Sequence, residues 1–341
     1  MIRKSFAFAL QKQSKSDFGI DLKRSHAYEL IAAYLGFSSQ AAMDTQGVLF
    51  KSIDRWLGDD SSTGEDQKKS ILLCQNRALN LDYMAEQAQL VAEVLSRMYL
   101  ELDLSFIEYS EIVESFWDLE DVSDDNLKSL KTLTSNGNPD AIFCLACIYK
   151  TETPPAERDG HWYRERQKGT VLSVVQAEFA DEYKQSVDNF KLRHSLLIEA
   201  ADKGHAEAAF ELAELDDGDS ETWYRRSADL GCVEAQSVLA LTYNENDWLV
   251  KAAEGGDRDC LYELAQAASN RTDEQSVVDA HKWIILADLY GYNLTQSLAD
   301  NDEDYGPAFV IFEGVNLPKI SGPLRAQAAR EASDIYQGSS N

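Results

Sequence analysis

Small and large apolar residues recur at fixed distances after four glycines, Gly137, Gly204, Gly231 and Gly256. A small residue stands four positions after each glycine, a leucine eight after it and an alanine nine after it. Because these three positions share one face of a helix, the pattern predicts a close-packing helix after each glycine. The residues are Ala141, Leu145, Ala146, Ala208, Leu212, Ala213, Ala235, Leu239, Ala240, Cys260, Leu264 and Ala265.

A column of tryptophans precedes this pattern. Trp223, Trp248 and Trp283 each stand eight residues before a glycine, the last of which is Gly291. A helix that carries the tryptophan, a glycine that can adopt positive φ and a second small-faced helix form an αα-hairpin. A large ring at one phase of each first helix favours a wedge between neighbouring hairpins over a ligand site. Stacked hairpins would make a solenoid.

The motif A-A-x-x-G-x-x-x-A-x-x-x-L-A with a preceding aromatic residue resembles the sel-one-like repeat family, a relative of tetratricopeptide repeats. The resemblance covers roughly residues 126–300. It implies an all-α fold, a right-handed superhelical α-solenoid of stacked αα-hairpins, and an adaptor or assembly role of the kind the family has in signalling, secretion and defence. The glycine spacings are 67, 27, 25 and 35. Helical-hairpin repeats span roughly 34 to 40 residues, so two units are shortened and one gap holds an insertion.

A small helical module is predicted near the start of the chain. Residues 25–43 read as a helix that stops at Gly36, a serine cap at Ser38 and a second short helix. This pair resembles a small helical module found at the start of various bacterial proteins, including some glyoxalase-like and repeat-containing ones.

Apolar spacing predicts further helices on both sides of the array. Leu49, Ile53 and Trp56 indicate one helix, and residues 70–102 carry a long helical pattern. Near the end, Leu324, Ala328, Ala332 and Ile335 form a stripe that predicts a capping helix, and glycine and proline breaks before it predict an extended segment. We therefore divide the chain into an N-terminal helical module at 1–57, connecting helices at 67–125, a repeat array at 126–300 with an insertion at about 151–169, and a C-terminal extended segment and capping helix at 301–341.

The net charge of −27 is spread unevenly along the chain. Six cations against two carboxylates give the first 24 residues a charge of +4, which leaves −31 for the rest. The acidic remainder of the chain repels nucleic-acid backbones and anionic membranes over most of its surface. We therefore expect a protein or peptide partner with a basic surface and no membrane partner. Nucleic acid could be contacted only through the basic N-terminal module.

The composition indicates a cytoplasmic chain with reduced thiols. The apolar stretch in the first 13 residues is about five residues long, whereas a secretory signal needs roughly 7 to 15. No apolar run approaches the roughly 18 residues of a membrane span. The five cysteines, an odd number, lie mostly within helical patterns.

Motifs for catalysis, cofactors or metals are weak, so we assign no catalytic, cofactor-binding or metal-binding residue and predict a non-enzyme. Cys144 and Cys147 form a C-x-x-C without a second pair, which favours packing over a zinc or redox site. The acidic stretch 300–306 lacks the glycine and glutamate positions of a calcium loop. Ten acids between Glu101 and Asp125 could bind a basic partner or mimic nucleic acid, but the pattern favours acids that lie on solvent-exposed helix faces.

Two groups of residues are candidates for partner binding. The insertion 157–169 combines aromatic residues and arginines, the types that dominate binding hot spots, although it could instead fold back to cover the array. Polar positions beside the tryptophan column would line the surface that the first helices expose. The candidates are His161, Trp162, Tyr163, Arg164 and Arg166 in the insertion, and Tyr224, Arg225, Arg226, Lys251 and Lys282 beside the tryptophans.

These observations favour a non-catalytic scaffold or adaptor that holds a protein or peptide on the solenoid surface and the inserted loop. The alternative is a nucleic-acid-associated regulator that contacts phosphates through Lys12, Lys15, Lys23, Arg24 and the helix pair at 25–43. Against it, the second helix of that pair carries no arginine or lysine for a groove. An enzyme whose site is assembled by folding is the third alternative.

Overall fold

The structure, a computed structural model, describes residues 2–51, 64–115, 122–149, 160–215, 218–300 and 309–339. Within these ranges it contains 17 helices and four short strands, so the prediction of a predominantly helical fold is confirmed. The chain divides into two compact units, unit 1 at Met1–Lys203 and unit 2 at Gly204–Asn341.

Unit 1 has a core in which the first five helices meet. Leu10, Leu30, Ile31 and Leu95 are fully buried there, so residues of the predicted N-terminal module and of the connecting helices share this core. The elements of unit 1 are α1 (Ile2–Phe18), α2 (Arg24–Tyr34), α3 (Gln40–Gln46), β1 (Gly47–Lys51), α4 (Gly64–Asn80), α5 (Ala85–Glu101), β2 (Leu104–Glu108), α6 (Tyr109–Ser115), α7 (Asp124–Ser135), α8 (Pro139–Ile148), α9 (His161–Gln167) and α10 (Val174–Asp202).

The helix pair near the start forms, but its cap is one residue later than predicted. Ser39, not Ser38, accepts a hydrogen bond from the Ala42 backbone N–H at 3.1 Å. Ser38 belongs to the turn instead, where its carbonyl accepts a hydrogen bond from Arg77 at 2.6 Å. Gly36 follows α2 with a φ of +92°. The turn that begins there includes Ser38, so the N-cap of α3 is Ser39.

A strand replaces the helix predicted at Leu49. β1 pairs antiparallel with β2, with Leu49 opposite Phe106. The residues from Gly47 to Phe50 are all buried, and a short apolar run of this kind fits a strand as well as a helix. The prediction of a helix there is wrong, and β2 likewise replaces part of the helical face expected between Glu101 and Asp125. Ile53 and Trp56 lie outside the described residues.

The long helical pattern at 70–102 is two helices, α4 and α5. Asp82 lies between them with a φ of +66°, a conformation that an α-helix cannot contain. The apolar spacing continues across this break because both helices bury a face in the same core. Periodicity alone therefore merged two elements into one.

In unit 2 each helix packs against the next helix along the chain. Its extended C-terminal segment contains β4, which pairs antiparallel with β3, and Val315, which is buried against the last helices. Two buried alanines, Ala328 and Ala332, seat the final helix. The elements of unit 2 are α11 (Ala206–Glu214), α12 (Ser220–Asp229), α13 (Val233–Leu241), α14 (Asn246–Glu254), α15 (Arg258–Ser269), α16 (Glu274–Leu289), β3 (Leu298–Asp300), β4 (Phe309–Phe312) and α17 (Gly322–Ser339).

The glycine column lies at turns between helices, as predicted. Gly231 separates α12 from α13 with a φ of +101°, and Gly256 separates α14 from α15 with a φ of +97°. The small residues four and nine positions later are buried in all four copies. Leu264 is the exception in the leucine column, because it is only half-buried and Leu261 is fully buried instead.

The tryptophan column packs unevenly. Trp283 is buried, and Trp248 contacts two adjacent apolar clusters of unit 2, as the predicted wedge requires. Trp223 is half-buried beneath Arg226, whose guanidinium carbon lies 5.5 Å from the ring centroid.

Candidate functional site

Successive glycine turns of unit 2 line an open groove with a volume of about 640 Å³, which we call the turn groove. The first residues of α11, α13 and α15 contribute Glu207, Glu234 and Arg258 to it, and Tyr292 comes from the segment after α16. A second groove of about 440 Å³ shares Gly231 and Tyr290 with it. Both grooves are open to solvent.

A column of acids follows the glycines and begins each second helix. Asp140, Glu207, Glu234 and Asp259 each stand three residues after a glycine and lie in the first helical turn. A carboxylate there stabilises the helix by about 0.3–1 kcal/mol, because the N-terminal end of the helix dipole is positive. This column was not predicted, although the spacing is present in the sequence at all four glycines.

Carboxylates dominate the charge of the turn groove. Glu207 and Glu234 are exposed, whereas Asp257 is half-buried and accepts a hydrogen bond from the Cys260 backbone N–H at 2.8 Å. Arg258 lies 3.7 Å from Asp259. Residues 204–341 contain nine Lys and Arg against 26 Asp and Glu, a net charge of −17. The groove therefore lies in an acidic unit.

Tyr290 lines both grooves and is held in place by several contacts. Its hydroxyl donates a hydrogen bond to the Glu254 carbonyl at 2.7 Å, and its ring packs on Gly256, where an added Cβ would lie 2.8 Å from a ring carbon. The Tyr336 ring lies 5.0 Å away. These contacts fix the tyrosine, so the groove floor is preformed.

The polar residues predicted beside the tryptophans are engaged within unit 2. Arg225 pairs with Glu221 at 2.7 Å and with Glu245 at 2.6 Å. Tyr224 hydrogen-bonds Glu214 and contacts two further aromatic rings. The remaining three cations lie over tryptophan rings, namely Arg226 over Trp223, Lys251 at 4.1 Å from Trp248 and Lys282 at 4.3 Å from Trp283. Of the five, Lys251 also lines the second groove.

The predicted contact residues of the insertion lie on a helix, α9, rather than on a loop. Arg166 pairs with Asp181 at 2.6 Å and lies over the Tyr163 ring, and Tyr163 contacts Tyr183. Through these contacts, Tyr163 and Arg166 pack α9 against α10. His161 and Arg164 remain exposed. Residues 151–159 of the insertion lie outside the described residues.

The cysteines occupy packing positions. Cys144 donates a hydrogen bond to the Tyr109 carbonyl at 3.3 Å, and all five cysteines are free thiols. Burial raises the pKa of Cys74 and of Cys260 to about 12, which disfavours the reactive thiolate. In the described ranges, no group of three or more His, Cys, Asp or Glu could hold a metal ion. Residues 301–306 of the acidic stretch lie outside these ranges.

The cations proposed to contact phosphates are scattered around α1 and α2. Lys15 pairs with Asp21 at 3.1 Å, and Arg24 lies over the Tyr28 ring. Most of α2 is buried, and α3 presents no arginine or lysine. A nearby cavity between α3, β1 and α7 holds only about 20 Å³, room for about one water molecule.

None of the helices in the described part of the chain combines the length and the apolar character needed to cross a bilayer. A scan against protein-family models, a search of curated proteins and a search of solved structures found no match to this chain. The resemblance to sel-one-like repeats therefore stays a prediction.

Proposed function

We propose that this chain is a non-catalytic scaffold that binds a basic segment of a protein partner in the turn groove of unit 2. The observation that carries the proposal is a preformed, solvent-open groove in which carboxylates recur at successive turns. In this proposal the hairpins stack as a right-handed superhelical α-solenoid of the sel-one-like kind, and the chain works in the cytoplasm.

The chemistry of the groove favours lysine and arginine side chains. Glu207 and Glu234 start consecutive second helices, so an extended segment crossing both turns could place a cation near each. The rings of Tyr290 and Tyr292 line the same groove and could accept a cation on their faces, worth about 0.5–1 kcal/mol at an exposed site. Exposed ion pairs contribute about 0.2–1 kcal/mol each, so binding requires several of them together.

Burial accounts for the shifted pKa values of two tyrosines in unit 1. Burial raises the pKa of Tyr99 to about 12 and also raises that of Tyr109. Both tyrosines belong to unit 1, and neither lines the turn groove. The acidic groove residues serve as helix caps and first-turn charges, which are roles in structure and in charge complementarity.

A labelled peptide of alternating lysine and glycine tests the proposal by fluorescence anisotropy. We expect the double variant Glu207→Gln/Glu234→Gln to bind about tenfold more weakly, because it removes both exposed carboxylates from the groove. Added salt should weaken the binding of the unaltered chain. A matched control, Asp247→Asn/Glu263→Gln, removes two exposed acids of unit 2 that do not line the turn groove.

The control should bind within about twofold of the unaltered chain. Equal weakening in both double variants would mean that the peptide responds to net charge alone, and the groove would lose its assignment. The exposed side chains of α9, His161 and Arg164, are a proposed second contact. Changing His161 and Arg164 to alanine, which leaves the Tyr163 and Arg166 contacts of α9 in place, should then remove partners captured from the native cell.

A further inference from the structure

One face of α1 is exposed and carries a phenylalanine among lysines. Phe8 is 67% exposed, whereas Phe6 and Leu10 of the same helix are buried in the core of unit 1. Lys4 and Lys12 lie one helical turn before and after Phe8, and Lys15 lies a further turn along. We call these four residues the α1 face.

Within the described part of the chain, the charge of the α1 face is largely unpaired. Lys4 and Lys12 make no ion pair with any residue that the structure describes. Lys15 pairs with Asp21, and the two side chains are 69% and 87% exposed, so water and salt screen that contact. Asp17, the acid of α1 itself, is engaged by Arg97 at 3.5 Å. The chain thus keeps a local positive face despite its net charge of −27.

The ring of Phe8 requires a ligand to supply an apolar contact in addition to negative charge. Phe8 presents a large apolar surface to water, and aromatic residues that become buried in a complex act as binding anchors. The lysine stems on either side extend this apolar surface while their ammonium groups stay in solvent. A complementary ligand therefore offers an apolar side chain flanked by negative charges.

We propose that the α1 face binds an acidic segment of another protein, with an apolar side chain on Phe8 and carboxylates on Lys4, Lys12 and Lys15. The four residues span about 17 Å of helix, the length of a short peptide. A membrane or a long nucleic acid carries far more negative charge than a short segment and would be repelled by the acidic remainder of unit 1, since residues 25–203 have a net charge of −14. This inference goes beyond the proposed function and does not rest on it.

The test uses the full chain and a fluorescein-labelled helical peptide in which leucine recurs every fourth residue and glutamate fills the neighbouring positions. Anisotropy should show binding that weakens as salt is raised. Lys4→Glu/Lys12→Glu should weaken it at least about tenfold and Phe8→Ala about fivefold, because one removes the charge match and the other the apolar anchor. Both changes fall on exposed side chains, so circular dichroism should show an unchanged fold.

A matched control is Lys68→Glu/Lys69→Glu on α4, which makes the same change of net charge at two exposed lysines. It should bind within about twofold of the unaltered chain. A second control peptide with glutamine in place of glutamate should bind at least about tenfold more weakly. The proposal is overturned if the glutamate peptide does not bind, if the α1 variants bind it as well as the control does, or if the glutamine peptide binds equally.

Two competitors separate the acidic peptide from other anions. Vesicles of phosphatidylserine and phosphatidylcholine, and a single-stranded DNA oligonucleotide, are each added to the preformed peptide complex. We expect neither to displace the peptide at equal concentration of negative charge. If either binds more tightly than the peptide and loses that binding in Lys4→Glu/Lys12→Glu, the face belongs to a membrane or to nucleic acid, and the peptide proposal fails. Failure here leaves the turn-groove experiment unaffected, since that groove lies in unit 2 and takes cations.

Discussion

At the scale of single residues, the cations of the first helices in unit 2 show that residue types common in binding sites can also make contacts within the protein. Arg226 and Lys251 stand three residues after Trp223 and Trp248, a spacing that places both side chains on the same helical face. These cations were predicted as partner contacts because they are polar and lie next to the tryptophan column. Their position over the rings shows that the spacing also indicates an intramolecular contact.

Lys251→Met tests this contact, because methionine keeps most of the side-chain volume and removes the charge. We expect the free energy of unfolding to fall by about 0.5–1 kcal/mol, since the ammonium nitrogen lies 4.1 Å from the Trp248 ring centroid. Urea unfolding followed by tryptophan fluorescence measures the change. Lys319→Met at an exposed position is the control, with an expected change within about 0.5 kcal/mol. Equal stability of the two variants would show that the cation contributes nothing.

At the scale of elements, periodicity predicted the helices that repeat and failed where local pattern was ambiguous. The predicted second helices are confirmed, since their glycines lie at the preceding turns and their small residues are buried. They were predictable because alanine and leucine recur at one helical phase after each glycine. β1 was missed because its run of three large apolar residues is too short to have a period, and its partner β2 lies more than 50 residues away. The break at Asp82 was missed because the apolar pattern crosses it.

Gly47→Ala tests the strand pairing in unit 1. An added Cβ at this position would lie 2.1 Å from the Ile107 carbonyl oxygen, so the two strands would have to separate. We expect a loss of about 1–3 kcal/mol in the free energy of unfolding, the range of overpacking in a tight site. Gly338→Ala is the control, because its methyl group would meet open space within α17. If Gly47→Ala is as stable as this control, β1 and β2 are not paired as described.

At the scale of the whole molecule, the two candidate surfaces have opposite charge and belong to different units. The turn groove lies in unit 2, where residues 204–341 have a net charge of −17, and the α1 face lies in unit 1. Charge complementarity selects partners by repelling those of the wrong sign. A scaffold with both surfaces would therefore recruit a basic segment and an acidic segment without competition between them.

The candidate site was less predictable than the fold. Aromatic residues and cations were the predicted contacts, and most of them make contacts within their own unit, whereas His161 and Arg164 remain exposed. The acids three residues after each glycine are visible in the sequence, but the placement of two of them, Glu207 and Glu234, along one groove depends on how consecutive turns align. That alignment comes from helix packing over residues far apart in the chain, which periodicity does not report.

Photo-cross-linking shows where on the chain a basic segment binds and so tests whether it binds in the turn groove. A lysine–glycine peptide with a photoreactive group in its middle is irradiated with the full chain, and the adducts are located by mass spectrometry. We expect adducts on groove residues such as Glu234 and Tyr292, and their loss in Glu207→Gln/Glu234→Gln. Adducts concentrated elsewhere in the chain, or unchanged in that variant, would contradict binding in the turn groove.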